Sequence, residues 1–362
     1  MYSTMKRNIK FLTVSVALLL ICFAFISCGG GGGGSGDEDG PAQPVVYKVS
    51  FDGNGGTGTM DPVSVEEGND CIIPANAFIA PAVPDGAIPR TFRCWTTNKD
   101  GSGTAFLAGA VIPKVTSDIT LYALWTDPAF SVSFTKKVYF SKGNLQATID
   151  ASGVPAAWKF AANQYDCLGE GGANKTIGSA SGDIDLFGWS GDTAKWGIST
   201  SEDPTDFSGD FVDWGTAYCD SKNIYPSSTW RTLTGGDNGE WNYLLNERKN
   251  ASNLYKYGVT VCGKANCLVI APDSFAGGIS DEYSESEWAA AEAAGLVCLP
   301  AACWRTGSTV NEIGLYGDCW ASSLFVNDIY AHNIHFGYTG AFPKNQSFRS
   351  YGYSVRLVTE KN

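Results

Sequence analysis

The chain has 362 residues and a formal net charge of −12, a length that suits two modest domains. Glycine and aromatic residues are plentiful, whereas charged residues make up only 17% of the chain. This mixture is typical of short strands, tight turns and aromatic packing, and argues against a helical bundle. The acidic balance without a basic stripe also argues against nucleic acid as a partner.

Residues 1–27 have the pattern of an export signal. Lys6, Arg7 and Lys10 precede an apolar run over residues 11–26, which is short for a transmembrane helix, and Ser27 precedes Cys28. This order resembles the lipobox of bacterial lipoproteins, which implies cleavage before Cys28 and acylation (palmitate) of that cysteine. Ordinary signal cleavage and an uncleaved anchor are the alternatives.

Residues 28–45 form a glycine-rich, acidic tether. Its acidic stretch Asp37-Glu38-Asp39 resembles the surface-export signals of some Gram-negative lipoproteins. We therefore expect a lipid anchor in the outer membrane and exposure on the cell surface, with a periplasmic location as the alternative.

Residues 46–126 form one predicted β-module. An alternating strand at 46–51 runs into a turn of Asn-Gly and Gly-Gly pairs, and 118–125 alternates again with Ile119, Leu121, Ala123 and Trp125 on one face. This segment resembles the internalin-type B repeat of bacterial surface proteins. The resemblance lies in the opening VSFDGNGGTG, in Trp95 followed by DGSGT, and in the ending DITLYALW. The resemblance implies a small β-grasp-like fold that serves as a spacer or a weak protein-binding element.

Residues 127–137 are expected to be a connector, and 138–362 a second domain of single-core size. Its pattern predicts a loop-dominated insertion at 167–215 and two helices, at about 240–249 and 285–294. The second helix has a Ser284/Glu287 capping box and Gly295 as a C-terminal cap. Strands are predicted at 296–304, 332–338 and 353–358.

Two helices with short paired strands and long loops are typical of a C-type lectin-like domain. Specific strings resemble the variable proteins of diversity-generating retroelements and their paralogues, which are surface lipoproteins: FSKGNLQ (140–146), DLFGW (185–189), WRTLT (230–234), LPAA (299–302), GDCWASS (317–323) and RSYGYSVRLV (349–358). The predicted fold class is therefore α+β, with a β-grasp-like module followed by a C-type lectin-like domain.

The resemblance places a variable ligand-binding region at residues 314–353. Tyrosine offers rigid contact area there, and the polar side chains offer adaptable hydrogen bonds. The predicted ligand-binding residues are Tyr316, Asp318, Phe325, Asn327, Asp328, Tyr330, His332, Asn333, His335, Tyr338, Phe348 and Tyr351. Trp320, Val355 and Leu357 are expected in the core, and Arg356 is expected to hold the last strand. The alternative is a solvated loop region with core aromatics.

Nine cysteines remain after Cys22 of the signal and the acylated Cys28 are set aside. Cys262 and Cys267 bracket a predicted hairpin turn and could form a disulfide, although for most of the cysteines a role as small buried apolar residues is favoured over a disulfide framework. His332 and His335 would point to opposite sides of a strand, which argues against a shared metal ion. Asp183, Asp185 and Asp192 are weak calcium candidates, and we expect no cofactor.

Enzyme motifs with a Ser nucleophile, a zinc-binding helix or a phosphate loop are absent from the sequence. The expected function is non-enzymatic binding of a protein or glycan on a cell, phage or host surface. A structural or fimbrial surface component is the first alternative. A catalyst resembling formylglycine-generating enzymes, with Cys298, Cys303 and Cys319 as loose candidates, is remote.

Overall fold

A computed structural model describes residues 43–149, 155–175, 181–191, 201–207, 209–224, 229–325 and 328–361. Cys28, with the whole signal and nearly all of the tether, lies outside the described residues, as do Asn327 and Asp192. Residues 45–362 form one contact unit. In the described part, strands predominate and three α-helices occur, which agrees with the α+β class.

The first seven strands build the module predicted at 46–126. They are β1 (Val46–Asp52), β2 (Val63–Glu66), β3 (Cys71–Ile72), β4 (Phe92–Thr96), β5 (Ala105–Phe106), β6 (Val111–Ile112) and β7 (Ile119–Trp125). Five of them form a sheet in the order β2-β1-β7-β4-β5, in which β1 and β7 are parallel, and β3 pairs with β6. We call β1–β7 with their connecting loops the repeat module.

The core of the repeat module follows the sequence pattern. Leu121 and Ala123 are fully buried on one face of β7, as the alternation predicts. Trp95 is also fully buried, with the Phe51 and Phe92 rings 5.0 and 5.1 Å away between centroids. Asn54 has a φ of +46° in the predicted turn, a conformation that Asn tolerates better than most residues.

Sixteen further strands build the C-terminal region. They are β8 (Ala129–Ser131), β9 (Lys137–Phe140), β10 (Leu145–Ile149), β11 (Pro155–Phe160), β12 (Gly182–Ile184), β13 (Trp230–Thr232), β14 (Tyr255–Val261), β15 (Lys264–Ile270), β16 (Glu282–Tyr283), β17 (Val297–Leu299), β18 (Trp304–Thr306), β19 (Thr309–Asn311), β20 (Tyr316–Leu324), β21 (Tyr330–Gly337), β22 (Ala341–Phe348) and β23 (Leu357–Glu360). Their sheets run β11-β10-β12, β13-β23-β9-β8, β16-β14-β15-β17, β18-β19 and β20-β21-β22.

The helices differ partly from the prediction. Helix α2 (Glu240–Asn242) continues as a π-helical turn (Tyr243–Glu247), and α3 (Glu285–Ala293) has the predicted capping box and a φ of +92° at Gly295. Helix α1 (Trp214–Lys222) was not predicted, because its first turn contains residues of low helix propensity. It is held instead by an N-cap at Asp213, whose carboxylate accepts a hydrogen bond from the Gly215 amide at 2.8 Å.

Two predicted strands are shorter than expected. The stretch at 296–304 is interrupted after β17, since Pro300 lacks an amide proton and Cys303 has a φ of +73°. The last strand begins only at Leu357, and residues 352–354 make isolated bridges. Segment 127–137, expected to be a connector, contains β8, which pairs with β9.

The predicted Cys262–Cys267 disulfide is absent from this structure, in which both thiols are free. Cys262 and Gly263 form the turn between β14 and β15 with positive φ, a two-residue turn tighter than the predicted one. Cys267 therefore lies opposite Val259, and its thiol is hydrogen-bonded with that of Cys298.

Both ends of the C-terminal region meet in one sheet, where β9 pairs with β23. Arg356, fully buried just before β23, donates hydrogen bonds to the Asn144 side chain and to the Ser141 and Cys298 carbonyl oxygens. This arrangement agrees with its expected structural role. Trp320, Val355 and Leu357 are fully buried, as expected.

The loop before β4 connects the repeat module to the C-terminal region. Ala87 and Ile88 are buried in two different C-terminal cores, and the Ile88 amide donates to the Phe140 carbonyl oxygen at 3.2 Å. Arg90 donates to the Tyr139 hydroxyl at 2.9 Å and pairs with Asp127. The repeat module is thus packed directly on the C-terminal region.

Candidate ligand-binding face

The sheet β20-β21-β22 carries most of the predicted ligand-binding residues, and its two sides differ. Ile334 and Phe336 of β21 pack into a buried core together with Cys319 and Ala321. Residues 331, 333 and 335 point to the opposite side, as does Asp318. We call this opposite side the Asp318 face, and its outer end is open to solvent.

Aromatic rings cross the outer end of the Asp318 face. The His335 ring stacks on Tyr316 of β20 at a centroid distance of 5.1 Å and on Phe342 of β22 at 6.0 Å. Tyr338 lies beside Tyr316, with their hydroxyl oxygens 3.2 Å apart. Tyr338 is 60% exposed and Phe342 is 48% exposed, which is unusual for large aromatic side chains. These four residues form what we call the aromatic ladder.

A buried carboxylate lies behind the aromatic ladder. Oδ1 of Asp318, whose side chain is 3% exposed, accepts a hydrogen bond from Asn333 at 2.7 Å and lies 3.0 Å from His335 Nδ1. Asn345 extends this network by donating to the Asn333 side-chain oxygen at 3.3 Å. The network sets the orientation of the His335 ring, because Nδ1 is occupied by Asp318.

Asp318 and His335 together retain a proton to higher pH than either would alone. The hydrogen bond and negative charge of Asp318 raise the pKa of His335 above its usual value, and outweigh the opposing effect of its partial burial. Burial raises the pKa of Asp318, although the hydrogen bond and charge of His335 lower it. The two groups are therefore a coupled ionisable pair beside a solvent-exposed aromatic surface.

A second group of predicted residues lies at the other end of the sheet. Tyr330 stacks on Phe348 at 4.6 Å, and Tyr351 contacts Phe348 at 5.6 Å and Trp304 at 4.9 Å. All of these rings are partly exposed. They form a second aromatic cluster, separate from the aromatic ladder.

The remaining predicted residues do not join either group. His332 lies on the side opposite to His335, against Phe325 at 5.2 Å and beside Gly235. Asp328 is exposed, and its backbone carbonyl oxygen accepts a hydrogen bond from the buried Arg349. The predicted residues thus do not form one site.

Metal binding receives no support from the described residues, in which no group of three or more His, Cys, Asp or Glu side chains could hold an ion. His332 and His335 point to opposite sides of β21, as the strand pattern predicts. Asp183 is paired with Lys159, and Asp185 is fully buried against Asn174 and the Leu168 amide. Among the helices described, none is long and apolar enough to cross a bilayer.

Sequence reasoning missed part of the site. A cavity of about 520 Å³ adjoins the aromatic ladder and is lined by Asn246, His335, Ala341, Phe342, Pro343, Lys344 and Asn345. Phe342 and Lys344 fall inside the predicted 314–353 region but were not selected there. Asn246 belongs to a π-helical turn about 90 residues earlier, so no sequence signal places it at this cavity.

Comparison with known families identifies one segment of the chain. Residues 47–124 match the Listeria-Bacteroides repeat domain, which covers nearly the whole repeat module. This confirms the predicted surface-protein repeat and supports a bacterial surface or extracellular protein. No curated protein and no solved structure matches the chain.

Proposed function

We propose that this protein is a surface-displayed bacterial lipoprotein that binds a protein or glycan through the Asp318 face of a C-type lectin-like domain. The observation that carries the proposal is the aromatic ladder, in which exposed rings lie beside His335, whose ring is oriented by the buried Asp318 carboxylate. Adjacent exposed aromatic rings next to a buried ionisable pair are features that mark an interaction site. The lipid anchor would be Cys28, and no cofactor or enzymatic step is required.

The topology of the C-terminal region supports a C-type lectin-like fold. Its first and last segments pair as β9 and β23, and long loops enter and leave the sheets between them. The ligand residues lie on β20–β22 and their connections, which correspond to the region expected to vary in the resembled family. A diversified receptor is the finer form of this proposal.

The binding face can be tested with the full chain displayed on cells. We expect the Tyr316→Ala/Tyr338→Ala double variant to bind a panel of bacterial, phage and host surfaces at least about tenfold more weakly than the wild type. The matched control is Phe134→Ala, which removes an aromatic ring that is 94% exposed in the turn between β8 and β9. Unchanged binding by a folded double variant would overturn the assignment of this face.

A structural or fimbrial component is the alternative function. The exposed apolar side chains Ile72, Leu107 and Val111 of the repeat module favour it, because such residues can pack against a neighbouring copy. If the wild-type chain bound no surface but assembled into fibres, this alternative would replace ligand binding.

The proposed anchor has its own test. Cys28→Ala should release the protein from the membrane fraction, and protease treatment of intact cells should digest the wild-type chain. Membrane retention of the Cys28→Ala variant would contradict lipid anchoring, and full protease protection would place the protein in the periplasm.

A further inference from the structure

One end of the sheet β20-β21-β22 exposes several large apolar side chains. Ile313, Leu315, Tyr338 and Phe342 are all between 48% and 60% exposed. A single exposed apolar residue is common on a protein surface, whereas several that adjoin one another mark an interaction site. Two of the four are aliphatic and lie in a turn, where polar residues are usual.

The register of the strands brings these side chains to the same end of the sheet. Tyr316 and Gly337 are the last pair between β20 and β21. Leu315 directly precedes that pair and Tyr338 directly follows it, so the turn before β20 and the turn after β21 adjoin. We call this end of the sheet, residues 312–316 and 337–342, the ladder end.

The polar groups beside the ladder end are already paired with one another. The buried Asp318 carboxylate accepts a hydrogen bond from Asn333 at 2.7 Å and lies 3.0 Å from His335 Nδ1. The aliphatic side chains of Ile313 and Leu315 offer no hydrogen bonds. A sugar has many hydroxyl groups, and each of them needs a hydrogen-bond partner when it is buried. The ladder end therefore fits an apolar protein surface better than a glycan.

An exposed carboxylate borders these apolar side chains. Glu312 begins the turn before β20, in which the Leu315 amide donates to the Glu312 carbonyl oxygen at 3.0 Å. Its φ of +57° is a left-handed conformation that is uncommon for Glu. Asp318 and His335 offset each other's charge, whereas none of the ion pairs within the described ranges includes Glu312. Glu312 is thus left as an acidic group at the rim of the ladder end.

We propose that the ladder end docks a protein partner that presents an apolar surface bordered by a basic side chain. Leu315, Tyr338 and Phe342 pack against the apolar surface, and Glu312 pairs with the basic side chain at the rim. An apolar, aromatic centre with a charged rim is the usual composition of a protein–protein interface. This inference rests on the proposed function and selects a protein over a glycan as the ligand.

Charge argues against two other occupants of the ladder end. A second copy related by a two-fold axis would bring two Glu312 carboxylates into one interface, in a chain whose net charge is already −12. A bilayer surface with anionic lipids repels a carboxylate for the same reason. A partner with a basic side chain is instead attracted to Glu312.

Protein and glycan partners can be distinguished on the cell surface. The probe is the cell type of the panel above that the full wild-type chain binds most strongly, treated either with protease or with periodate, which cleaves sugars at adjacent hydroxyl groups. We expect protease to reduce binding at least about tenfold and periodate to leave it unchanged. Binding that is lost after periodate but kept after protease would identify a glycan and overturn the inference.

Two exposed leucines at opposite ends of β20 provide a matched pair of variants. Leu315 and Leu324 are 49% and 44% exposed. Leu315→Asn should weaken binding about fivefold to tenfold without changing thermal unfolding, because its apolar contact is with the partner. Leu324→Asn should bind as the wild type does. If Leu315→Asn also bound as the wild type does, the ladder end would not be the docking surface.

The charge at the rim is tested at Glu312. Glu312→Lys should weaken binding about tenfold, and Glu312→Gln should weaken it less and make the association rate less sensitive to salt. Glu67→Lys, at an exposed position of the repeat module, controls for the change in net charge. An unchanged salt dependence in Glu312→Gln would contradict a basic partner.

Two further measurements cover the other occupants. Wild-type dimers in light scattering that Leu315→Asn abolishes would assign the ladder end to a second copy. Capture of protein-free vesicles of phosphatidylethanolamine and phosphatidylglycerol by the displayed chain, lost in the same variant, would assign it to a membrane. Either result overturns the inference.

Failure of the inference and failure of the proposed function give different results. If Leu315→Asn and Glu312→Lys bind cells normally while Tyr316→Ala/Tyr338→Ala does not, the proposed function stands with a different ligand. If the wild-type chain binds none of the cell surfaces, the proposed function itself is rejected.

Discussion

The repeat module and the C-terminal region are held together in different ways. The repeat module has one core drawn from residues 47–125, and its large buried side chains are apolar. The C-terminal region buries Arg305, Arg349 and Arg356 as well as Asp185 and Asp318. Burying charged groups is costly unless each is hydrogen-bonded. The repeat module is thus built around one apolar core, whereas the C-terminal region combines apolar cores with long-range contacts of buried charged groups.

The largest expected effect comes from the buried guanidinium of Arg356. Arg356→Ala would leave the Asn144 side chain and the Ser141 and Cys298 carbonyl oxygens without their donor, at a cost of about 3–5 kcal/mol in the free energy of unfolding. Calorimetry should show loss of the C-terminal transition, and limited proteolysis should show a resistant repeat module. Arg93→Ala, on the exposed side of β4, is the control. If the repeat module unfolded together with the C-terminal region, the two regions would not differ in how they are stabilised.

Ile88 links the two regions, because it lies within the repeat module along the chain but packs in a C-terminal core. Ile88→Ala should destabilise the C-terminal region by about 2–5 kcal/mol, because it removes a side chain that is 1% exposed. The control is Ile79→Ala, also in the repeat module but 70% exposed. Equal and small effects of both changes in denaturant titrations would show that the two regions fold independently.

The buried carboxyl group of Asp185 makes the free energy of unfolding depend on pH. Burial raises its pKa from 3.8 to about 6, while hydrogen bonds from Asn174 and the Leu168 amide lower it. The folded chain therefore binds the proton more tightly than the unfolded chain, and stability falls by about 3 kcal/mol as pH rises from about 4 to about 6 and above. Asp185→Asn should flatten this slope in urea titrations, unlike the exposed Asp61→Asn. A slope that persists in Asp185→Asn would contradict the assignment.

The smallest expected effect is at the α3 cap. Ser284 accepts a hydrogen bond from the Glu287 amide, so Ser284→Ala should cost about 1 kcal/mol. Thermal unfolding should show this as a small shift, with the exposed Ser252→Ala as the control. A shift as large as that of Arg356→Ala would mean that local capping, and not long-range contacts, limits the stability of the C-terminal region.

The sequence by itself determined the features that depend on near neighbours in the chain. The alternation of β7, the turn at Asn54, the caps of α3 and the opposite directions of His332 and His335 all follow from local periodicity and backbone preference. The 314–353 region was also predicted as the location of ligand-binding residues, but the sequence did not show which of these residues lie together.

Tertiary structure alone decided which of the predicted ligand-binding residues lie close together. Asp318 is buried beneath His335 only because β20 and β21 pair in one register, and Asn246 reaches the cavity from a separate helical turn. Helix α1 and the burial of Ile88 likewise depend on partners far away in the chain. Such contacts leave no periodic trace in the sequence, because each is set by the packing of segments that are distant along the chain.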